Sequence, residues 1–455
     1  MPTPVRFLST NGQVEGYGLG RALLAGMAPD RGLFMPERIP TFGDGELAAL
    51  VGKRYPEVAF HVLSRFAAGE FGDDELRAVC EDAYDFAVPV ERIVDAHHVL
   101  RLDLGPTASF KDFAARMMGR LLGRLVRRQG GSLVILTATS GDTGSAVAQA
   151  FHGVPGISMV VLFPIDEVSD RQRKQMTTVG GNVTTYAVDG KFDDCQAMVK
   201  RAFSDPDMGH IPLSSANSIN IGRLLPQSVY YTYAYLQLAD VAARQPVTFA
   251  VPCGNFGNLM GGLLAREMGL PVERFVVATN ANDVVPIFFD TSRYDKIEPS
   301  RICISNAMNV GHPSNLARLV HLYGGHLDEM GVLHRVPDME AIRRDLWAVS
   351  VDDAETRRTI ADAWNDHRAM LEPHGAVGWA GLIRYRDSGE LAADDLAVSL
   401  ETAHPAKFPD ELLTQIDVDP VLPPSLAGLG VLPETYGNLA VDYPAFRNEL
   451  LRLFG

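Results

Sequence analysis

The sequence predicts an α/β protein with parallel sheets covered by helices. Three observations lead there. Short apolar runs of strand length recur from about residue 130 to 280. Each passes through a polar or glycine-bearing turn into a stretch with helix-spaced apolar residues. Such strand–helix alternation is the pattern of sheets buried on both faces.

The elements follow in order. Residues 1 to about 95 read as a helical region: GELAALVGKRY, HVLSRFAAGEF and DDELRAVCEDAYDF carry helical spacing, with Asp73 or Asp74 as a cap. The helix FAARMMGRLLGRLVRR follows, with Arg116, Arg120, Arg124 and Arg128 on one face, read as solvated or interdomain. SLVILTAT (132–139) is a strand, and SGDTGSAVAQAFHG is a loop whose helix begins at about Ser145. ISMVVLFP (157–164) and NVTTYAVDG are further strands, separated by the polar helix DEVSDRQRKQMTTVG and followed by the helix DDCQAMVKRAF. VTFAV (247–251) leads through PCGNFGN into the helix NLMGGLLAREMG, and RFVVATN closes that unit. The last third is more helical and ends in FRNELLRLFG.

The chain has 455 residues, 46% of them apolar, which suits two or three domains. A net charge of −15 argues against a general nucleic-acid binder and leaves room for a locally basic pocket. No run approaches a membrane span, and the N-terminus has no apolar core of signal-peptide length. Cys80, Cys195, Cys253 and Cys303 form no C-x-x-C pair, so a reducing cytoplasm is the expected compartment. Only seven residues are lysine among 41 basic ones.

Five segments could carry chemistry. TSGDTG (139–144) joins a strand to a helix start, where free N–H groups and the hydroxyls of Thr139, Ser140 and Thr143 would suit a carboxylate or phosphate. The same segment also reads as an N-cap with no ligand. CGNFGN (253–258) repeats that grammar, with Gly254 and Gly257 for close backbone approach and Asn255 and Asn258 for amide donors. In GPTASFKDFAAR, Lys111 lies between Phe110 and Phe113. A lysine desolvated by aromatics can lose its proton and act as nucleophile or base, the Schiff-base setting of pyridoxal phosphate (PLP) enzymes. SSANSINIGR gathers Asn217, Ser218, Asn220 and Arg223, and Arg223 can clamp a phosphate. In ETAHPAKFPD, the Thr402 hydroxyl could meet a cofactor ring nitrogen; His404, and His374 in EPHGAVG, read as structural or catalytic.

In order and spacing, GPTASFKDF, TATSGDTGSAVA, SANSINIGRLL, PCGNFGN, ATNANDVVP, EPHGAVG and TAHPAKF resemble the threonine synthase family, as do FLSTNG and RGLFMPE near the start. The likeness spans about residues 5 to 415 and fades beyond, where PPSLAGLGVLPETYGNLAVDYPAF reads as a linker and terminal helix. The resemblance implies PLP fold type II: two parallel-sheet α/β domains with the cofactor between them, plus a helical N-terminal region. The expected division is 1–95 for that region, 131–224 for a smaller domain with the substrate carboxylate loop, and 96–130 with 225–455 for a large PLP-binding domain.

The same resemblance implies a PLP-dependent lyase that makes L-threonine and phosphate from O-phospho-L-homoserine and water. A PLP-dependent phospho-lyase or dehydratase is the alternative. Lys111 would hold PLP and be catalytic. Gly254, Asn255, Phe256, Gly257 and Asn258 would cradle its phosphate, and Thr402 would face its ring nitrogen. Ser140, Gly141, Asp142 and Thr143 would hold the substrate carboxylate, with Asp142 also beside the cofactor's 3′-oxygen. A carboxylate there would repel that oxygen unless one group is protonated. Asn217, Ser218 and Arg223 would bind the substrate phosphate. No metal, nucleic acid or membrane is expected, and the chain would be a monomer or homodimer. A dinucleotide oxidoreductase is disfavoured, since neither glycine loop has G-x-G-x-x-G with an acidic residue about 20 positions on.

Overall fold

The computed structural model describes residues 4–455. Near the N-terminus, β1 (Phe7–Ser9) and β2 (Phe34–Pro36) pair antiparallel, so FLSTNG is strand and turn and the first 95 residues are not wholly helical. The helix Asp73–Ala83 is preceded by an extended Gly72 with no side-chain cap, and Asp73 and Asp74 fall inside its first turn. There they still face the positive end of the helix dipole.

The chain then enters β3 (Val90–Val94) and β4 (His97–Arg101). After a long helix come β5 (Leu133–Ala138), β6 (Ile157–Pro164), β7 (Val183–Asp189) and β8 (Leu213–Ser215). β9 (Val247–Pro252) and β10 (Val272–Thr279) follow, then the short antiparallel pair β11 (His326–Leu327) and β12 (Leu333–Arg335). β13 (Leu346–Ser350), β14 (Ala397–Glu401) and β15 (Gly437–Ala440) complete the strands.

A six-stranded sheet has the order β13-β10-β9-β14-β4-β3, parallel except for the edge strand β3. A five-stranded sheet, β15-β7-β6-β5-β8, is parallel throughout. Every residue of β5 (LVILTA) and β9 (VTFAVP) is buried, which is why these runs are apolar without alternation.

The C-terminal segment ends in the expected helix, but what precedes it departs from the sequence reading. It is neither a plain linker nor part of the large sheet. It crosses to the five-stranded sheet, where β15 pairs with β7 and the helix Tyr443–Phe454 joins the core formed by Met198, Val199 and Tyr186. Glu434 ties the crossing down, accepting from Arg173 Nε at 2.9 Å and Thr177 Oγ1 at 2.8 Å.

The arginine face of the helix Lys111–Gln129 is used inside the molecule. Arg116 Nε donates to Ala83 O at 2.7 Å, and Arg120 Nε to Asp82 Oδ2 at 2.7 Å. These bonds fasten the N-terminal helices to the helix that Lys111 begins.

Candidate active site

The C-terminal ends of β5, β9 and β14 open on one cavity of about 970 Å³, the place where parallel sheets collect ligands. It is lined by Lys111, Ser140, Asp142, Thr143, Asn217, Ser218, Arg223, all five residues from Gly254 to Asn258, and Thr402. Of the residues given a role by the family resemblance, Gly141 alone is not in the lining.

Lys111 is the first residue of its helix, and the turn before it is built around Asp112. That carboxylate accepts from Thr107 N at 2.8 Å and Thr107 Oγ1 at 2.7 Å. Phe110 N–H donates to Thr402 O at 2.9 Å, so the lysine and the β14 loop are positioned together. The lysine side chain keeps only 14% of its exposure. Burial pushes its amine down to about 8, with Lys407 and Arg223 acting in the same direction and Asp142 opposing. The positive end of the helix adds to the preference for a neutral amine.

The SGDTG loop differs from expectation in two details. Its helix, Asp142–Phe151, starts at Asp142 rather than near Ser145. Thr139 serves the loop itself: its Oγ1 accepts from Gly141 N at 3.0 Å and Gly144 N at 2.8 Å. Gly141 adopts φ +130°, and a Cβ there would stand 2.6 Å from Gln172 Nε2. The glycine therefore makes room for Gln172, which donates to Asp142 Oδ1 at 3.0 Å. Lys407 Nζ contacts the same oxygen at 2.5 Å, and Lys111 Nζ lies 4.0 Å from Oδ2. Burial acts to raise the Asp142 carboxyl, but Lys407 and Lys111 outweigh it and hold the group ionised, well below the usual carboxylate range. Asp142 is therefore an ionised carboxylate paired with a buried cation.

Opposite lies the second glycine loop. A Cβ on Gly254 would meet Met308 Cα at 2.8 Å, so this glycine lets the loop press on a neighbouring backbone. Phe256 takes φ +62° at the cap of the helix Gly257–Glu267, a strained conformation for a bulky residue and one concentrated at functional sites. Asn255 joins two loops: its Nδ2 donates to Ser218 Oγ at 2.8 Å and its Oδ1 accepts from Ser314 N at 2.6 Å. Asn258 Oδ1 accepts from Tyr230 Oη at 2.6 Å and Tyr231 Oη at 2.7 Å. Asn217 Nδ2 donates to Ala138 O at 2.8 Å, which ties the next loop to the end of β5. Arg223 Nη1 donates to Ala216 O at 2.7 Å, and burial lowers the guanidinium to about 10.

The two histidines separate. His404 caps the turn Pro405–Lys407, its Nδ1 accepting from Ala406 N, and it does not line the cavity. His374 does line it, but its Nε2 accepts from Ala307 N at 3.0 Å. The proton therefore sits on Nδ1, which donates to Glu372 Oε2 at 2.5 Å.

Sequence reasoning passed over Lys407 and Arg318. Lys407 stands in TAHPAKF and is one of only seven lysines, so its scarcity is a usable signal. Arg318 had no local signal. It is fully buried and donates to Phe34 O at 3.1 Å, Ser218 O at 2.9 Å and Ile219 O at 2.6 Å. It also reaches Asn315 Oδ1, while Asn315 Nδ2 donates to Asn255 O at 2.9 Å. One guanidinium thus joins the N-terminal strand pair, the Ser218 loop and the Asn255 loop. Arg318→Met would orphan several buried carbonyls and is expected to cost about 3 kcal/mol or more. Chemical denaturation should show the loss, and an unchanged midpoint would refute this role.

The comparisons with known proteins agree with this geometry. The family described as pyridoxal-phosphate dependent enzyme matches residues 91–402. A threonine synthase of Pseudomonas aeruginosa is 38% identical over 447 residues, covering 93% of each chain. The chain belongs to the threonine synthase family. The families described as threonine synthase N terminus and threonine synthase, C-terminal match residues 6–84 and 375–448. The second match carries the likeness past residue 415, where the motifs alone had let it fade. A PLP-bound threonine synthase from Brucella melitensis has the same fold, with a TM-score of 0.90, 33% identity and coverage of 98% of this chain and 99% of that one. The Escherichia coli threonine synthase gives a TM-score of 0.88 at 35% identity, covering 98% of this chain and 100% of that one. The fold is therefore PLP fold type II, the activity is that of the threonine synthase family, and pyridoxal phosphate is its cofactor. No helix among the described residues is long and apolar enough to cross a membrane.

The residues present suit that cofactor. Arg223 and Asn258 both line the cavity, and each has a buried side-chain donor, Nε and Nδ2, with no hydrogen-bond partner among the described residues. The N-terminus of the helix Gly257–Glu267 adds backbone donors for a phosphate. The desolvated Lys111 amine is the group a carbonyl cofactor needs.

Proposed function

We propose that the chain converts O-phospho-L-homoserine and water to L-threonine and phosphate in the cavity between its two sheets. The observation that carries this reading is the convergence of a desolvated lysine, two helix N-termini and an unpaired buried arginine on one space. PLP would be held at Lys111, at the Gly254–Asn258 loop and beside Thr402. When bound it supplies an electron sink that makes the substrate Cα–H acidic.

Every other part of the chemistry belongs to side chains of this chain. Ser140 and Thr143, at the start of the helix Asp142–Phe151, bind the substrate carboxylate, where the helix dipole favours an anion. Gly141 contributes by shaping that loop rather than by contact. Asp142, ionised between two lysines, would stand beside the cofactor's 3′-oxygen. Lys111 Nζ takes the proton from Cα, moves a second from Cβ to Cγ as phosphate leaves so that Cγ becomes the methyl group, and returns one to Cα after water has added at Cβ. Arg223, with Ser218 and Asn217, binds the substrate phosphate and stabilises the charge that grows on it as the Cγ–O bond breaks. Four unpaired, buried cysteines support a reducing cytoplasm as the site of reaction. The net charge of −15 supports a small-molecule partner rather than nucleic acid; the protein would act as a monomer or homodimer.

Incubation with O-phosphohomoserine tests the reading directly. Threonine and inorganic phosphate are expected in equal amounts. Phosphate accompanied by a keto acid and ammonia would overturn it in favour of a phospho-lyase.

A further inference from the structure

Asp142 presents one carboxylate to two lysines, and the two are not equivalent. Lys407 is fully buried, makes the 2.5 Å contact with Oδ1 and donates also to Thr107 O at 3.2 Å. Lys111 keeps some exposure and stands 4.0 Å from Oδ2. Lys407 is delivered by the turn Pro405–Lys407, which follows β14 and Thr402, so it is fixed by the frame that fixes the Lys111 turn. Thr107 O belongs to that turn, and Lys407 bridges it to Asp142.

We propose that Lys407 is a positioning residue that takes Asp142 as its own ion-pair partner and so lowers the proton affinity of the Lys111 amine. Without Lys407 the nearest cation to Asp142 would be Lys111, and a short ion pair would hold Lys111 protonated. With Lys407 in place, the carboxylate is largely neutralised and a second positive charge stands near Lys111. The other charged groups facing Lys111 are Arg223, which works in the same sense, and Glu372, which opposes. His374 faces Asp142, and Asp112 faces Lys407 and Arg223. None of these makes the close contact with Asp142 that Lys407 makes.

The inference rests on the reading of Lys111 given above, but its test reads the amine itself and needs no turnover. The full-length protein, stripped of cofactor with hydroxylamine, is pulsed with acetic anhydride across pH against an internal amine standard. Acetylation of the Lys111 peptide is followed by mass spectrometry. The native protein should titrate near 8. Lys407→Met should move that midpoint up by about one pH unit, slowing acetylation at pH 8 roughly fivefold. Lys407→Arg, which keeps a cation, should stay with the native protein. A folded Lys407→Met protein whose midpoint is unchanged or lower would overturn the proposal. Should Lys407→Met fail to fold, Lys407→Gln keeps a donor toward Asp142 while removing the charge, and the same criterion applies to it. A chain that made no threonine but titrated as expected would refute the proposed function and leave this pair standing.

Discussion

Lys111→Ala is expected to abolish the visible absorbance of lysine-bound cofactor and to lower threonine formation by roughly 10³-fold or more, since both the attachment point and the proton carrier are lost. The expectation comes from where the lysine sits. It heads the helix Lys111–Gln129 in an apolar turn, against the Phe110 ring at 5.5 Å. Burial has taken its amine from the ordinary 10.5 to about 8. The shift also has a stability consequence of definite sign. A lysine whose folded value is depressed destabilises the fold below that value, where the amine is charged in both states, and the penalty disappears as pH rises through the unfolded value. At neutral pH the cofactor-free Lys111→Ala protein should therefore melt no lower than the native cofactor-free protein, while at pH above 10.5 that advantage should be gone. Retained turnover with O-phosphohomoserine would sink the assignment. A lower melting point at neutral pH would show that the lysine side chain supports the fold by packing that the charge argument omits.

What the sequence disclosed and what it withheld divide along the range of the interactions. GPTASFKDF, SGDTG and CGNFGN were legible because each is a local device. A turn, a glycine and a helix start lie within ten residues, and the physics of helix N-termini gives each its meaning. The buried strands were legible because β5 and β9 are apolar apart from one threonine each. Lys407 was not, because its partner Asp142 lies 265 residues away. Arg318 was hidden for the same reason, since its contact with Phe34 O spans 284 residues. In NLARLVHL a fully buried arginine looks like any helical arginine. β15 escaped because GNLA carries little strand propensity, and its pairing with β7 is imposed by tertiary packing. Gly141 illustrates a subtler limit. A glycine in an anion loop reads as room for a ligand, yet here the room is filled by Gln172.

Arg223→Ala should lower kcat/KM for O-phosphohomoserine by roughly 10²–10³-fold, in the range for removing one preorganised donor from developing charge. Arg223 is only 3% exposed and makes no ion pair among the described residues. Its Nη1 is committed to Ala216 O, while Nε is buried with no partner. Burial has lowered the guanidinium to about 10, so the isolated site carries a desolvation penalty that an anion would relieve. That makes the arginine a poor stabiliser of the fold and a strong phosphate clamp. The loss should fall in kcat as well as KM, because charge on the departing phosphate exceeds that on the bound substrate. Arg223→Lys should recover only part of the rate, since an ammonium restores charge without the planar fork. Inorganic phosphate offers an independent reading: its inhibition constant should rise in Arg223→Ala, whereas binding of a substrate-sized amino acid without phosphate should be little altered. If phosphate inhibits the variant as well as the native protein, the clamp must lie elsewhere on the Ser218 loop.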